Sequence, residues 1–241
     1  MPQSLAAELA PTGVLRAAIN MGNFLLVTGK TASGDPTGVS PSIAAAIAER
    51  LGVPVKYVPY ARPGELADAA GSGVWDIGLI GAEPQRAQKI HFTAAYCEIE
   101  ATYLVPAGSP ITSLAGVDQP GKRVAVTARS AYCLWLENNL KHAQLLQFDG
   151  ADAALKQFDE GLDAYAGLRP GLIDVAQKRP GSRILDGQFA AVQQAVGTAK
   201  ANAAGAKFLV EFVEEAKKSG LVAKFIEQHG VVGRLSVAPP A

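Results

Sequence analysis

The chain carries no excess of either charge: lysine plus arginine and aspartate plus glutamate each total 22 in 241 residues. Without a field of one sign there is no general pull toward phosphate backbones or anionic lipid, so no nucleic-acid partner is expected. Cysteine is scarce, and Cys97 and Cys133 alone cannot make a disulfide framework. There is no CxxC pair or Cys/His cluster of the kind zinc needs. The three histidines, His91, His142 and His229, are scattered among unrelated residues. Lone histidines are usually structural or exposed, so no metal and no other cofactor is assigned. Also missing is any apolar run of the roughly 18 residues that a membrane-spanning helix needs. Met1–Ala10 (MPQSLAAELA) has neither the basic nor the apolar stretch of a secretory signal. This leaves two expectations: a cytoplasmic protein, or a chain whose signal was removed and replaced by Met1.

What is present points to a folded α/β protein. Hydrophobic residues make up 49% of the chain and charged ones 18%, enough apolar surface to offset chain entropy and exclude disorder. The length exceeds the roughly 100–150 residues of a typical domain and suits two lobes. Gly13 opens a first strand over Val14–Asn20, and a loop follows through Gly34, Asp35, Pro36 and Gly38. Ser40 as N-cap and Pro41 at the first helical position predict a helix with Ile43, Ile47 and Leu51 on one buried stripe, closed by Gly52. Val53–Pro59 alternates as a second strand, Gly64–Ala70 reads as a short helix, and Trp75–Ile80 reads as a third strand. Strand–helix alternation of this kind implies right-handed crossovers and a parallel sheet.

The pattern restarts at Lys122–Thr127, a strand, followed by a helix over Ser130–Leu140. A strand near Leu145–Phe148, a helix over Ala151–Glu160 and a strand over Leu162–Gly167 complete a second α/β series. Val105–Pro120, with its prolines and glycines, reads as the link between the two. Ala201–Lys218 is a long amphipathic helix with Phe208, Phe212 and Ala216 on one face, Leu209 and Val213 beside them, and Glu214 spaced to pair with Lys218. Gly220 ends it, Leu221–His229 forms one more helix, and Val237–Ala241 is an extended tail.

GVLRAAIN (Gly13–Asn20), IAERLGVPVKYVPY (Ile47–Tyr60), SGVWDIGL (Ser72–Leu79) and PQRAQKIHFTAAY (Pro84–Tyr96) together resemble the polar amino-acid-type solute-binding proteins of ABC transporters. GKRVAVTARSAY (Gly121–Tyr132), LKQF and GLDA (Leu155–Ala164) and EEAKKSGLVAKFIEQHGV (Glu214–Val231) continue the likeness in the same order. The resemblance implies a two-lobed, type II periplasmic-binding-protein-like α/β fold. Each lobe would be a mainly parallel sheet flanked by helices, with a ligand cleft between lobes and two hinge crossovers. Lobe 1 would be 1–106 plus 194–241 and lobe 2 would be 107–193, with crossings at Tyr103–Ser109 and Ala190–Gly197. It also implies a periplasmic location, a small carboxylate or amino acid as solute, an ABC permease as partner and a monomer. Independently, ligands in open α/β sheets bind at the carboxyl ends of strands.

Arg86 matches the arginine that forks onto the ligand carboxylate in the amino-acid binders, a task its parallel N–H groups suit. Its other reading is a surface arginine paired with Glu83. The loop from Asp76 to Arg86 is about two residues shorter than the family's, and Gly81 and Ala82 replace hydroxyl residues there. Ser130 opens a helix straight after Thr127, so its hydroxyl and the first-turn N–H groups of Ala131 and Tyr132 make a small anion seat or an ordinary cap. Arg129 stands where the family commonly has glycine, adding positive charge at the cleft or pointing to solvent. Amino-acid binders carry an acid about five positions beyond the aspartate of GLDA, to hold the α-ammonium group; here Leu168 stands there, followed by Arg169. Either Glu83 or Glu100 supplies the acid, or the solute lacks an α-amino group, and with the cleft's arginines the second alternative leads. Asn23 and Phe24 lie where relatives place an aromatic wall, although Phe24 equally suits a core. Gln193 and Gln194 alternate faces if the returning crossing is extended. Cys97 and Cys133 fall in different lobes, where a bridge would lock the hinge, so free thiols are expected.

The leading expectation is a binding protein and not an enzyme. The alternatives are a dehydratase resembling cyclohexadienyl dehydratases, with Glu83 as the acid of raised pKa, and a cytoplasmic binder or sensor.

Overall fold

The computed structural model describes residues 3–241. In chain order, α1 (Gln3–Leu9), β1 (Leu15–Asn20), the short pair β2 (Gly29–Lys30) and β3 (Pro36–Thr37), α2 (Val39–Leu51), β4 (Val55–Tyr60), α3 (Pro63–Asp68) and β5 (Ile77–Gly81) come first. The long strand β6 (Ile90–Val105), α4 (Leu114–Val117), β7 (Arg123–Thr127), α5 (Ala131–Asn139), β8 (Gln144–Phe148), α6 (Ala151–Asp159), β9 (Ala164–Leu168) and α7 (Arg169–Gln177) follow. Then come β10 (Arg183–Ile184), β11 (Ala190–Ala199), α8 (Ala203–Lys218), α9 (Leu221–Gln228) and β12 (Ser236–Val237). Among the described residues, no helix is long and apolar enough to cross a membrane.

Two compact units emerge: Met1–Glu98 with Gln193–Ala241, and Ile99–Val192. The first division falls inside β6, a single 16-residue strand, and not in the proline-bearing stretch after Val105. In the first unit β1 lies parallel to β4 and β5, while β11 returns antiparallel to β5. In the second, β7 runs parallel to β8 and β9, and β6 and β9 are antiparallel with Ala101 opposite Leu168. The sheets are therefore mixed and not purely parallel, because each crossing strand adds an antiparallel neighbour.

Ile43, Ile47 and Leu51 are all buried, and Gly52 ends α2 with φ 71°, the left-handed value that glycine adopts freely. The start of α2 departs from expectation. Its N-cap is Gly38, where a Cβ would lie 2.2 Å from the Leu26 carbonyl oxygen, so only glycine fits. Ser40 makes no cap; its buried hydroxyl shares a 2.8 Å hydrogen bond with that of Tyr96. On α8 the Glu214 carboxylate meets Lys217 at 2.6 Å, not Lys218. Lys217 is drawn inward because its ammonium also donates to the Pro239 carbonyl of the tail, 2.8 Å away.

The histidines remain apart: His91 and His142 are exposed, and His229 shares a 2.7 Å hydrogen bond with Ser42 between α9 and α2.

Candidate functional site

In the first unit, the parallel pairing of β1 and β5 sends the loops after both strands out of the same sheet edge. The β1 loop is tied by Asn23, whose side-chain oxygen accepts from the N–H groups of Leu25 and Leu26 at 3.1 and 3.3 Å. That turn leaves the Phe24 ring outside: it is 81% exposed, which rules out a core role. A free aromatic face on this edge suits a ligand wall.

The β5 loop is drawn back on itself. Arg86, in a single 3-10 turn (Arg86–Gln88), is only 6% exposed and donates from Nη1 to the Gly81 carbonyl at 2.8 Å. Ala82 donates its N–H to the Gln193 carbonyl on β11 at 2.8 Å, and the Glu83 carbonyl accepts from Ala87 at 2.9 Å. Glu83 is itself buried, with 9% exposure, and burial pushes its carboxyl up to about 7 against the opposing pull of Arg86. The Gln193 side chain donates to the Glu98 carboxylate at 2.9 Å, while Gln194, one position on, is buried, as strand alternation requires. Glu98 is a site neighbour that the sequence does not announce, because it sits within β6, a strand without a clear periodic signal.

In the second unit, β7 and β9 are parallel neighbours, so Thr127–Ser130 and Leu168–Arg169 also share one edge. Ser130 is the N-cap of α5: its hydroxyl oxygen accepts from the Cys133 N–H at 3.1 Å and donates to the Thr127 carbonyl at 2.8 Å. Arg129 has φ 60°, the only positive value among the described non-glycine residues. Left-handed backbone is the conformation that glycine adopts freely and other residues rarely do. Ala131 is buried and packs with Ala101 and Val192, and Tyr132 rests partly buried on the same cluster, its phenol pKa raised by burial.

Arg169 makes its hydrogen bonds within the second unit. Its Nε donates to Glu100 at 2.6 Å, and its Nη2 reaches the carbonyls of Leu185 and Gly187. The register explains this, because Ala101 opposite Leu168 sets Glu100 against Arg169 across the antiparallel pair. Glu100 and Arg169 are therefore paired with one another. Leu168 is the N-cap of α7 and makes no side-chain capping bond. Cys97 and Cys133 are free, buried and in different units, with burial pushing their thiols up to about 12 and 11.

Residues 22–231 match the model of the bacterial extracellular solute-binding proteins, family 3. The chain belongs to that family. No curated protein matches it significantly. Among solved structures, a mutant of ArgBP from T. maritima aligns over 94% of this chain and 99% of its own, with TM-score 0.74 and 20% identity. AbpA from Streptococcus pneumoniae, an amino acid ABC transporter substrate-binding protein bound to L-arginine, covers 92% and 96%, with TM-score 0.73 and 20% identity. The ancestral amino acid-binding protein AncCDT-1, a precursor of cyclohexadienyl dehydratase, covers 92% and 97%, with TM-score 0.72 and 23% identity. The family 3 protein thus has the mixed α/β fold of type II periplasmic binding proteins.

Proposed function

We propose that this family 3 protein captures a small carboxylate or amino acid and hands it to the permease of an ABC transporter, working as a monomer outside the cytoplasm. Arg86 carries the reading: a buried guanidinium at the carboxyl end of β5, on the same sheet edge as the exposed Phe24. Buried guanidinium groups suit planar two-oxygen partners, and the bond to Gly81 fixes the fork's direction. Phe24 would cover the solute's apolar part. Closure would turn the backbone where the chain passes between units, near Glu98–Ile99 and Val192–Gln193. The solved structures of similar fold agree in kind, since one is bound to arginine and another is a cysteine-binding protein from Campylobacter jejuni.

A thermal-shift panel pairing each amino acid with its deaminated analogue tests the reading. At least one compound should raise the melting temperature, and it should lower the radius of gyration in small-angle scattering. A panel with no shift in either class would refute the proposal.

One observation favours a second reading, a dehydratase: the Glu83 carboxyl sits near 7, suited to donating a proton at neutral pH. Incubation with a cyclohexadienyl acid and a search for the dehydrated product decides it; without turnover, the enzyme reading fails.

A further inference from the structure

The chain leaves the first unit after Glu98 and re-enters it at Gln193. β6 and β11, which carry these two points, are neighbours in one sheet. At their first-unit ends the crossings are bonded to each other, because Gln193 Nε2 donates to the Glu98 carboxylate at 2.9 Å. A carboxylate acceptor makes such a bond stronger than a neutral pair. Gln193 is also held through its backbone, its carbonyl accepting the Ala82 N–H at 2.8 Å.

The segment after α9 reaches the same place. It returns as β12, antiparallel to β6, with Val237 opposite Cys97 and Ser236 opposite Glu98. The Ala238 N–H donates to the Tyr96 carbonyl at 3.1 Å, and the side chains of Leu235 and Ala238 are buried. Further on, the Pro239 carbonyl accepts from Lys217 at 2.8 Å and the Ala241 N–H donates to Glu214 at 3.3 Å, both partners lying on α8. Residues 235–241 thus form a strap from α8 to β6, and its ladder stops on the last residue before the crossing. β9 takes up the pairing of β6 at Ala101, so Ile99 and Glu100 lie between the β12 and β9 ladders. Backbone held in a ladder cannot change φ and ψ without losing hydrogen bonds, so the turning falls to the residues beyond the strap.

We infer that the Glu98–Gln193 bond, held in place by the β12 strap, is a hinge clamp that sets the apparent affinity without touching the solute. The inference rests on the binding reading above and adds to it a pair of residues that act on closure alone. The clamp gives both crossings a fixed starting point in the first unit. Without it the unliganded protein samples a wider range of hinge angles, and binding must remove that freedom. The cost falls on every solute by the same factor, because it arises before any solute chemistry is read.

Pulsed electron resonance between spin labels on Glu65→Cys of α3 and Asp152→Cys of α6, both exposed positions, reads the hinge with no solute present. Cys97 and Cys133 are buried away from the label. Glu98→Ala and Gln193→Ala, each verified as folded by circular dichroism, should widen the distance distribution about twofold. The double variant should widen it no further than either single one, since one bond is lost in all three. Lys217→Met, which frees the strap at Pro239, should widen it too. A wild-type width in any of these variants overturns the inference, as does a double variant whose widening is the sum of the two. Calorimetry then compares the amino acids and deaminated analogues of the panel. Each compound that binds should weaken by a common factor of about three to ten in Gln193→Ala. A loss confined to some compounds would make Gln193 a direct solute contact and overturn the clamp. If no compound binds the wild type, the binding reading falls while the label distances still decide the clamp.

Discussion

Two carboxylates illustrate how opposite environments act on one functional group. Asp76 accepts three hydrogen bonds from Arg16, whereas Glu83 is buried with Arg86 as its charged neighbour. The second case has a consequence for stability. The folded carboxyl, near 7, lies above its ordinary value of 4.5, so the native state holds the proton more tightly than the unfolded chain. Glu83 thus favours folding fully below pH 4.5, and this contribution is lost as pH rises through about 7. Each tenfold gain in proton affinity is worth about 1.4 kcal/mol, which makes the swing on the order of 3 kcal/mol. Chemical denaturation of wild type and Glu83→Gln at pH 5 and pH 8 should therefore show a steeper loss in the wild type. Parallel pH profiles would mean that Glu83 is not desolvated in solution.

At the scale of elements, the Arg16–Asp76 pair ties the start of β1 to the residue entering β5. Arg16 also reaches the Gly73 carbonyl at 2.5 Å, so one side chain fixes the turn and the strand together. Arg16→Ala would leave the Asp76 carboxylate buried and unpaired, and a loss of about 3–5 kcal/mol in urea unfolding is expected. A loss below about 1 kcal/mol would show that water reaches the carboxylate and compensates. Elements set by local chemistry are legible in the sequence. Ser130 caps α5, and Gly52 and Gly220 close or open helices at left-handed backbone, because each effect acts within one turn. Elements set by tertiary context are not. β6 is buried on both faces along much of its length and shows no clean alternation, and α7 starts at Arg169–Pro170 straight after β9 without a polar cap. Ser40 has the local pattern of a cap, and the hydroxyl of Tyr96 that claims it lies 56 positions away. The Arg169–Glu100 pair joins residues 69 positions apart through a strand register that no spacing reveals.

At the scale of the whole molecule, the sequence carries the family and the β5-loop residues, while the structure shows how the charged side chains pair and which are buried. Arg169 and Glu100 pair with one another, and Arg86 and Glu83 are buried. The central claim is that Arg86 holds the solute's carboxylate, and it rests on one side chain. Calorimetric titration of the panel's strongest compound into wild type and Arg86→Ala, each verified as folded by circular dichroism, tests it most directly. The account predicts at least about a hundredfold weaker binding in the variant, close to about 2.7 kcal/mol. An unchanged dissociation constant in folded Arg86→Ala would contradict it.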